Sequence, residues 1–98
     1  MNRGGGITVS QNPAENRYEA LVQGQQCVAE YVVRDGRLIF THTFVPAALR
    51  GQGIAEQLVR FALDDARSKG FKVTPACSYV ARFIDRHPEY RDLSAQDG

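Results

Sequence analysis

The sequence predicts an α/β fold, a mixed sheet with its elements in the order ββββαβα. Three observations carry this. As far as Val45 the apolar side chains recur with the two-residue period of half-buried strands. From Gln52 the period lengthens to ~3.6 residues, that of an amphipathic helix. After that helix a second short apolar run, Phe71 to Ala76, returns to strand character.

Taken in order, Ile7 to Ser10 can make a short first strand, which Asn12-Pro13 breaks. Arg17 to Gln23 alternates through Tyr18, Glu19, Ala20, Leu21 and Val22 as a second strand, with Gly24-Gln25 as its turn. Gln26 to Arg34 and Arg37 to Val45 are rich in Val, Ile, Tyr and Phe, and Asp35-Gly36 between them is a hairpin signal, since both residues tolerate positive φ. Ile54, Ala55, Leu58, Val59, Ala62, Leu63 and Ala66 then share one helix side, opposite Glu56, Gln57, Arg60, Asp64 and Arg67. Lys69-Gly70 ends that helix. Tyr79, Val80, Phe83 and Ile84 mark a short second helix after the fifth strand, stopped by Pro88.

The fourth strand, long helix and fifth strand form a β-α-β unit. Such a unit favours a right-handed crossover and sets its two strands parallel. Ligands of sheets of this kind lie at the carboxyl ends of the parallel strands, where the next helix begins.

The 98 residues are enough for one core, so we read residues 1–98 as a single domain, with 1–6 and 94–98 as small, polar, frayed tails. Twelve basic residues against eleven acidic ones give no general field for nucleic acid or an anionic membrane. No stretch reaches the roughly twenty apolar residues of a membrane span, and no leader is indicated, so a cytoplasmic location is expected. Cys27 and Cys77, with only His42 and His87 beside them, lack the spacing of a disulfide scaffold or a zinc site, so no metal is expected.

The chemistry concentrates in Val-Pro-Ala-Ala-Leu-Arg-Gly-Gln-Gly-Ile-Ala, Val45 to Ala55, which runs from a strand end into the first turn of the best helix. A helix start presents unpaired N–H groups and the positive end of its dipole, worth ~0.3 to 2 kcal/mol toward an anion. Gly51 and Gly53 lack a Cβ, and Arg50 adds a forked cationic donor. Together these suit a diphosphate. Two glycines alone would better fit a plain strand-to-helix turn beside a solvated arginine.

Arg50-Gly51-Gln52-Gly53-Ile54-Ala55 resembles the Q/R-x-x-G-x-G/A signature of the GNAT acetyltransferases in the same strand-loop-helix setting. His42-Thr43, Val45, Leu49, Pro75-Ala76-Cys77-Ser78-Tyr79-Val80 and His87-Pro88-Glu89-Tyr90 are similar to a subfamily of very small stand-alone GNAT-like proteins, across Gln26 to Leu93. The resemblance implies acetyl-CoA as co-substrate, lying where strands four and five splay apart. Main-chain groups near Phe44 and Val45 would then bind the pantetheine arm, and Arg50, Gly51, Gln52, Gly53, Ile54 and Ala55 the pyrophosphate. Ala47 and Ala48 depart from the pattern, which often has a proline and a polar residue there. Only about six residues separate the first two strands, a loop where larger members carry acceptor-shaping helices, so the acceptor is left open.

Three side chains are candidates for catalysis. Cys77, between the fifth strand and the last helix, can face the cleft with its pKa lowered by the helix start and by Arg82 or His42, and can accept the acetyl group; a buried thiol is the alternative. The resemblance supports the acceptor role, the equivalent cysteine being suspected of it in the small subfamily. His42, in phase with Leu38, Phe40 and Phe44, is either a base facing the cleft or a hydrogen-bonded core histidine. Tyr79 either protonates the leaving thiolate, as the resemblance implies, or packs in a stripe with Phe83. Cys27 reads as core, and His87-Pro88-Glu89-Tyr90 as a helix end that folds the chain back.

The expected function is acetyl transfer to a small-molecule or protein amine, with a non-catalytic acetyl-CoA-binding module as the alternative. A nucleotide or nucleic-acid binder is disfavoured, because the loop lacks the Lys-Ser/Thr ending of a P-loop and the chain lacks a basic stripe.

Overall fold

Two tight turns organise the antiparallel half of the sheet. The computed structural model describes residues 6–95. Strands β2 (Arg17–Val22), β3 (Gln25–Arg34) and β4 (Arg37–Phe44) are joined through Gln23-Gly24 and Asp35-Gly36. Each turn has φ of 51° and then 74°, the positive pair of a type I′ turn, whose twist matches its strands. The second turn falls where it is expected. The first lies one residue earlier than Gly24-Gln25, because Gln25 already pairs with Val22.

Strand β1 (Ser10–Asn12) is later than the expected Ile7 to Ser10. Pro13–Glu15 forms a 3-10 turn in which Asn12 Oδ1 accepts the Glu15 N–H at 3.3 Å, and Asn16 closes it at φ 55°. The turn sets Asn12 opposite Arg17, so pairing runs back only to Ser10 and Glu19. Ile7 and Val9 pack against the core without joining the ladder.

Helix α1 (Ile54–Ser68) buries Ile54, Leu58, Val59, Ala62, Leu63 and Ala66, the side that the periodicity selects. Fully burying a side chain such as Leu58 or Leu63 stabilises by about 1.5–3 kcal/mol. Gly70, at φ 81°, stops the helix: its N–H donates to Arg67 and that of Phe71 reaches back to Ala66 at 2.9 Å. Strand β5 (Lys72–Pro75) follows and pairs parallel to β4, completing a five-stranded mixed sheet in the order β1-β2-β3-β4-β5.

Helix α2 (Ser78–Arg86) buries Val80, Phe83 and Ile84 and ends at His87 before Pro88. As expected, the chain then folds back, through a 3-10 turn at Pro88–Tyr90 and the short helix α3 (Arg91–Ser94), which periodicity does not reveal. Tyr90 is buried, with its hydroxyl on Asp64 at 2.7 Å, and Arg67 meets Asp92 at 2.8 Å. Of the expected tails, residues 1–5 and 96–98 lie outside the described residues. Ser94 and Ala95 do not fray: Ser94 closes α3, and the Ala95 carbonyl accepts from Arg37 at 2.9 Å.

The core lies between one sheet face and the helices, around Tyr18, Tyr31 and Phe40, whose ring centroids are 5.6 to 6.2 Å apart. Cys27 is wholly buried in it, and burial pushes its thiol up. The Tyr18 hydroxyl donates to Asp65 at 2.7 Å, tying β2 to α1.

One irregularity decides how the end of β4 presents its side chains. Tyr31 pairs with Phe40 and Glu30 with His42, so Thr41 is an extra residue, a β-bulge. Beyond a bulge the alternation of faces is inverted. Thr43, opposite Ala29, therefore takes the helix-covered face that Phe40 and Leu38 occupy. His42 and Phe44 move to the uncovered face, where both are exposed and their rings stack at 6.4 Å. The expectation that His42 shares a face with Leu38 and Phe40 is thereby corrected.

Candidate active site

The parallel ladder of β4 and β5 ends early. It runs from Arg37 opposite Lys72 to Phe40 opposite Pro75, although β4 continues to Phe44. Pro75 has no N–H to extend it, and the chain turns away through Ala76. Thr41 to Phe44 thus have a neighbour in β3 and no partner in β5.

Past β4 the chain makes a 3-10 turn at Ala47–Leu49, which includes both alanines that depart from the signature, and Leu49 anchors it in the core. Arg50 is extended, and its Nε donates to the Val45 carbonyl at 2.9 Å, bracing the loop against the end of β4. Gly51 and Gly53 have φ of 84° and 76°, values that L side chains rarely adopt. A Cβ at either would meet nothing within 4 Å, so backbone conformation demands glycine and the space above the loop is open.

Gly53 is the N-cap of α1, and no side chain caps it. The first helical bond, Gln57 N–H to Gly53 at 3.2 Å, leaves the amides of the first turn directed out of the helix start. They border a cavity of about 240 Å³ lined by Val45, Leu49, Arg50, Gly51, Gly53, Ile54, Ala55, Glu56 and Tyr79. A neighbouring cavity of about 270 Å³ shares Val45, Arg50, Ala55 and Tyr79 and extends along β4 to Phe44 and Thr43. Uncapped amides, an arginine and an open glycine cradle fit a diphosphate group, with the strand-side cavity leading from it toward α2. Gln52, exposed, lines neither cavity.

Cys77 is the N-cap of α2, half-buried, with Sγ 3.5 Å from Thr43 Oγ1. Burial raises its thiol, but the Thr43 hydroxyl and the main-chain groups of Val80, Tyr79 and Thr43 outweigh this and hold the thiol below its ordinary value. The helix start contributes as expected. Thr43 takes the part that the sequence assigns to Arg82 or His42.

Tyr79 lines both cavities. Burial pushes its phenol up, the Glu56 carboxylate adds to this, and Arg86 and Arg82 oppose it, so the phenol stays protonated near neutrality. The structure therefore brings Tyr79, Thr43, Arg50 and the glycine loop around one groove, with Cys77 behind Thr43. His42 stays outside this set.

Two groups escape the sequence reading. Thr43 is hidden by the bulge. Glu56 is the acidic side chain lining the loop cavity; it is held by Arg60 at 3.5 Å and lies 3.9 Å from His87. Its first-turn position was the signal available, since acidic residues at that position favour the helix dipole. Among the described residues no three His, Cys, Asp or Glu side chains gather as for a metal ion, and no helix is long and apolar enough to cross a membrane.

Comparison with known proteins bears on the family and the fold. The chain is 29% identical over 91 residues to the Mus musculus protein NATD1, covering 90% of this chain and 83% of that one. It is 38% identical over 47 residues to the Homo sapiens protein NATD1, spanning 48% of this chain and 42% of the human one. The solution structure of a GCN5-like protein from Staphylococcus aureus shares the fold with a TM-score of 0.70, at 21% identity, over 93% of this chain and 90% of that one. A family model described as GCN5-related N-acetyl-transferase matches residues 17–93, nearly the whole described chain, and the chain belongs to that family.

Proposed function

We propose that this chain transfers an acetyl group from acetyl-CoA to an amine by way of Cys77. The observation that carries this reading is the placement of Cys77 Sγ at the head of α2, against Thr43 at the point where β4 and β5 part. The family and fold support acetyl transfer from acetyl-CoA to amines in general. The cysteine route and the residue roles are our own reading.

In this reading the main-chain amides of the loop and helix start from Gly51 to Ala55, that of Gln52 included, hold the pyrophosphate with Arg50. The main chain at Phe44 and Val45 lies along the pantetheine arm. The Cys77 thiol loses its proton to solvent and attacks the acetyl carbonyl. A bond to Sγ forms as the bond to the coenzyme A sulfur breaks, and the departing thiolate takes a proton from the Tyr79 hydroxyl, which recovers one from water. A neutral amine then attacks the Cys77 thioester. The C–N bond forms, the C–Sγ bond breaks, the nitrogen gives up a proton to solvent, and Cys77 leaves as thiolate.

A second reading, acetyl-CoA binding without turnover, draws support from the position of His42, whose imidazole lies on the sheet face opposite to that of Thr43. Intact-mass measurement after incubation with acetyl-CoA separates the two. An acetyl adduct of the parent protein, absent from Cys77→Ser, is expected. Tight coenzyme A binding without any adduct would favour the binding module.

A further inference from the structure

We propose that Thr43 is the positioning residue for the Cys77 sulfur, and that the extra residue Thr41 in β4 is the device that aims it. This deepens the cysteine route above and rests on it.

The argument starts from strand parity. In an unbroken strand the side chain in phase with Leu38 and Phe40 would be that of His42. The bulge removes the imidazole from that face and substitutes a hydroxyl. The Thr41 hydroxyl donates to the Glu30 carbonyl at 3.4 Å, at the step where the register shifts, so the bulge carries its own brace.

The main chain of Cys77 is held independently. Its N–H donates to the Phe40 carbonyl at 2.8 Å, and its carbonyl accepts from Ala81 at 3.0 Å as the first bond of α2. With the backbone anchored on both sides, the sulfur's remaining freedom is rotation about χ1. Thr43 Oγ1, at 3.5 Å, is the side-chain partner that selects a rotamer, and it also lines the cavity running to the glycine loop. An O–H directed at sulfur stabilises the thiolate over the thiol and holds it beside the threonine that lines the groove.

Alkylation of Cys77 by iodoacetamide, followed by intact mass across a pH series, tests this without acetyl-CoA. Thr43→Val keeps the branched shape and deletes the hydroxyl. Its alkylation rate at pH 7 is expected to fall about tenfold, with the pH midpoint displaced upward. Thr43→Ser restores the hydroxyl and is expected to return both close to the parent. Thr43→Ala serves the same comparison should the valine variant fold poorly by circular dichroism.

A hydroxyl-free variant with the parent's pH profile would overturn the proposal. So would a serine variant as impaired as the hydroxyl-free one, which would mark a purely structural role. Because alkylation needs no acetyl donor, a Thr43-dependent profile in a protein that never forms an acetyl adduct would sink the relay and leave the Thr43–Cys77 coupling standing.

Discussion

The amide of Cys77 donates to the carbonyl of Phe40 across 2.8 Å, just past Pro75, which pairs with Phe40 at the end of the parallel ladder. This one bond ends the sheet and starts α2, since Cys77 is that helix's N-cap. It fixes where the two strands part, and so where a thioester would have to lie to meet the sulfur.

The glycine loop is testable by comparing two glycines. Gly53 and Gly36 have φ of 76° and 74°, and neither has an atom within 4 Å of a would-be Cβ. Gly53→Ala and Gly36→Ala should each cost about 1–2 kcal/mol in denaturant unfolding, from backbone strain alone. Only Gly53→Ala should also weaken coenzyme A binding measured by calorimetry, because its methyl projects into the phosphate cradle.

The charges at that cavity oppose one another. Arg50→Ala should weaken coenzyme A binding about tenfold, and Arg50→Lys should restore only part of it, since the ammonium lacks the fork that braces Val45 while meeting a phosphoryl oxygen. Glu56→Gln should tighten binding by roughly threefold at low salt, with the gain shrinking as salt rises. Titrations at two ionic strengths check both.

The Tyr18–Asp65 contact should appear in acid stability. Burial alone would raise the Asp65 carboxyl, but Lys69 at 2.9 Å and the Tyr18 hydroxyl bring it below its usual value. A carboxyl depressed by folding contributes its stability fully above the unfolded pKa and loses it as pH falls through the folded one. Tyr18→Phe should therefore cost about 1–2 kcal/mol at pH 7, and the difference from the parent should narrow in urea melts as pH is lowered through the acid range.

Tyr79 and His42, both catalytic candidates from sequence, should separate. Tyr79→Phe should slow the acetylation step about a hundredfold while coenzyme A affinity holds, if the phenol supplies the proton. A packing role would lower the melting temperature and leave the rate alone. His42→Ala should leave adduct formation at the parent's rate, since its ring stacks on Phe44 on the uncovered face; a large loss would contradict the placement made by the bulge.

Much of this was legible in the chain itself. The Asp35-Gly36 turn, the side of α1 from Ile54 to Ala66, the stop at Gly70 and the end of α2 before Pro88 follow from local stereochemistry and periodicity, which a few consecutive residues suffice to express. The glycine loop was legible for the same reason, its two positive-φ residues and the helix start being neighbours in sequence. Less visible were α3, too short to show a period, and the first strand, whose register depends on how Asn12 caps the turn after it.

By itself the sequence determined the order of the longer elements, from the second strand to the second helix, and the anion-suited loop, because each depends on interactions within one turn or one strand. Which of two adjacent residues, His42 or Thr43, faces Cys77 was decided only by the tertiary structure. Strand parity is inherited from the partner strand: a single unmatched residue at Thr41, set by pairing with Glu30 and Tyr31 across the hairpin, reverses the side chains after it.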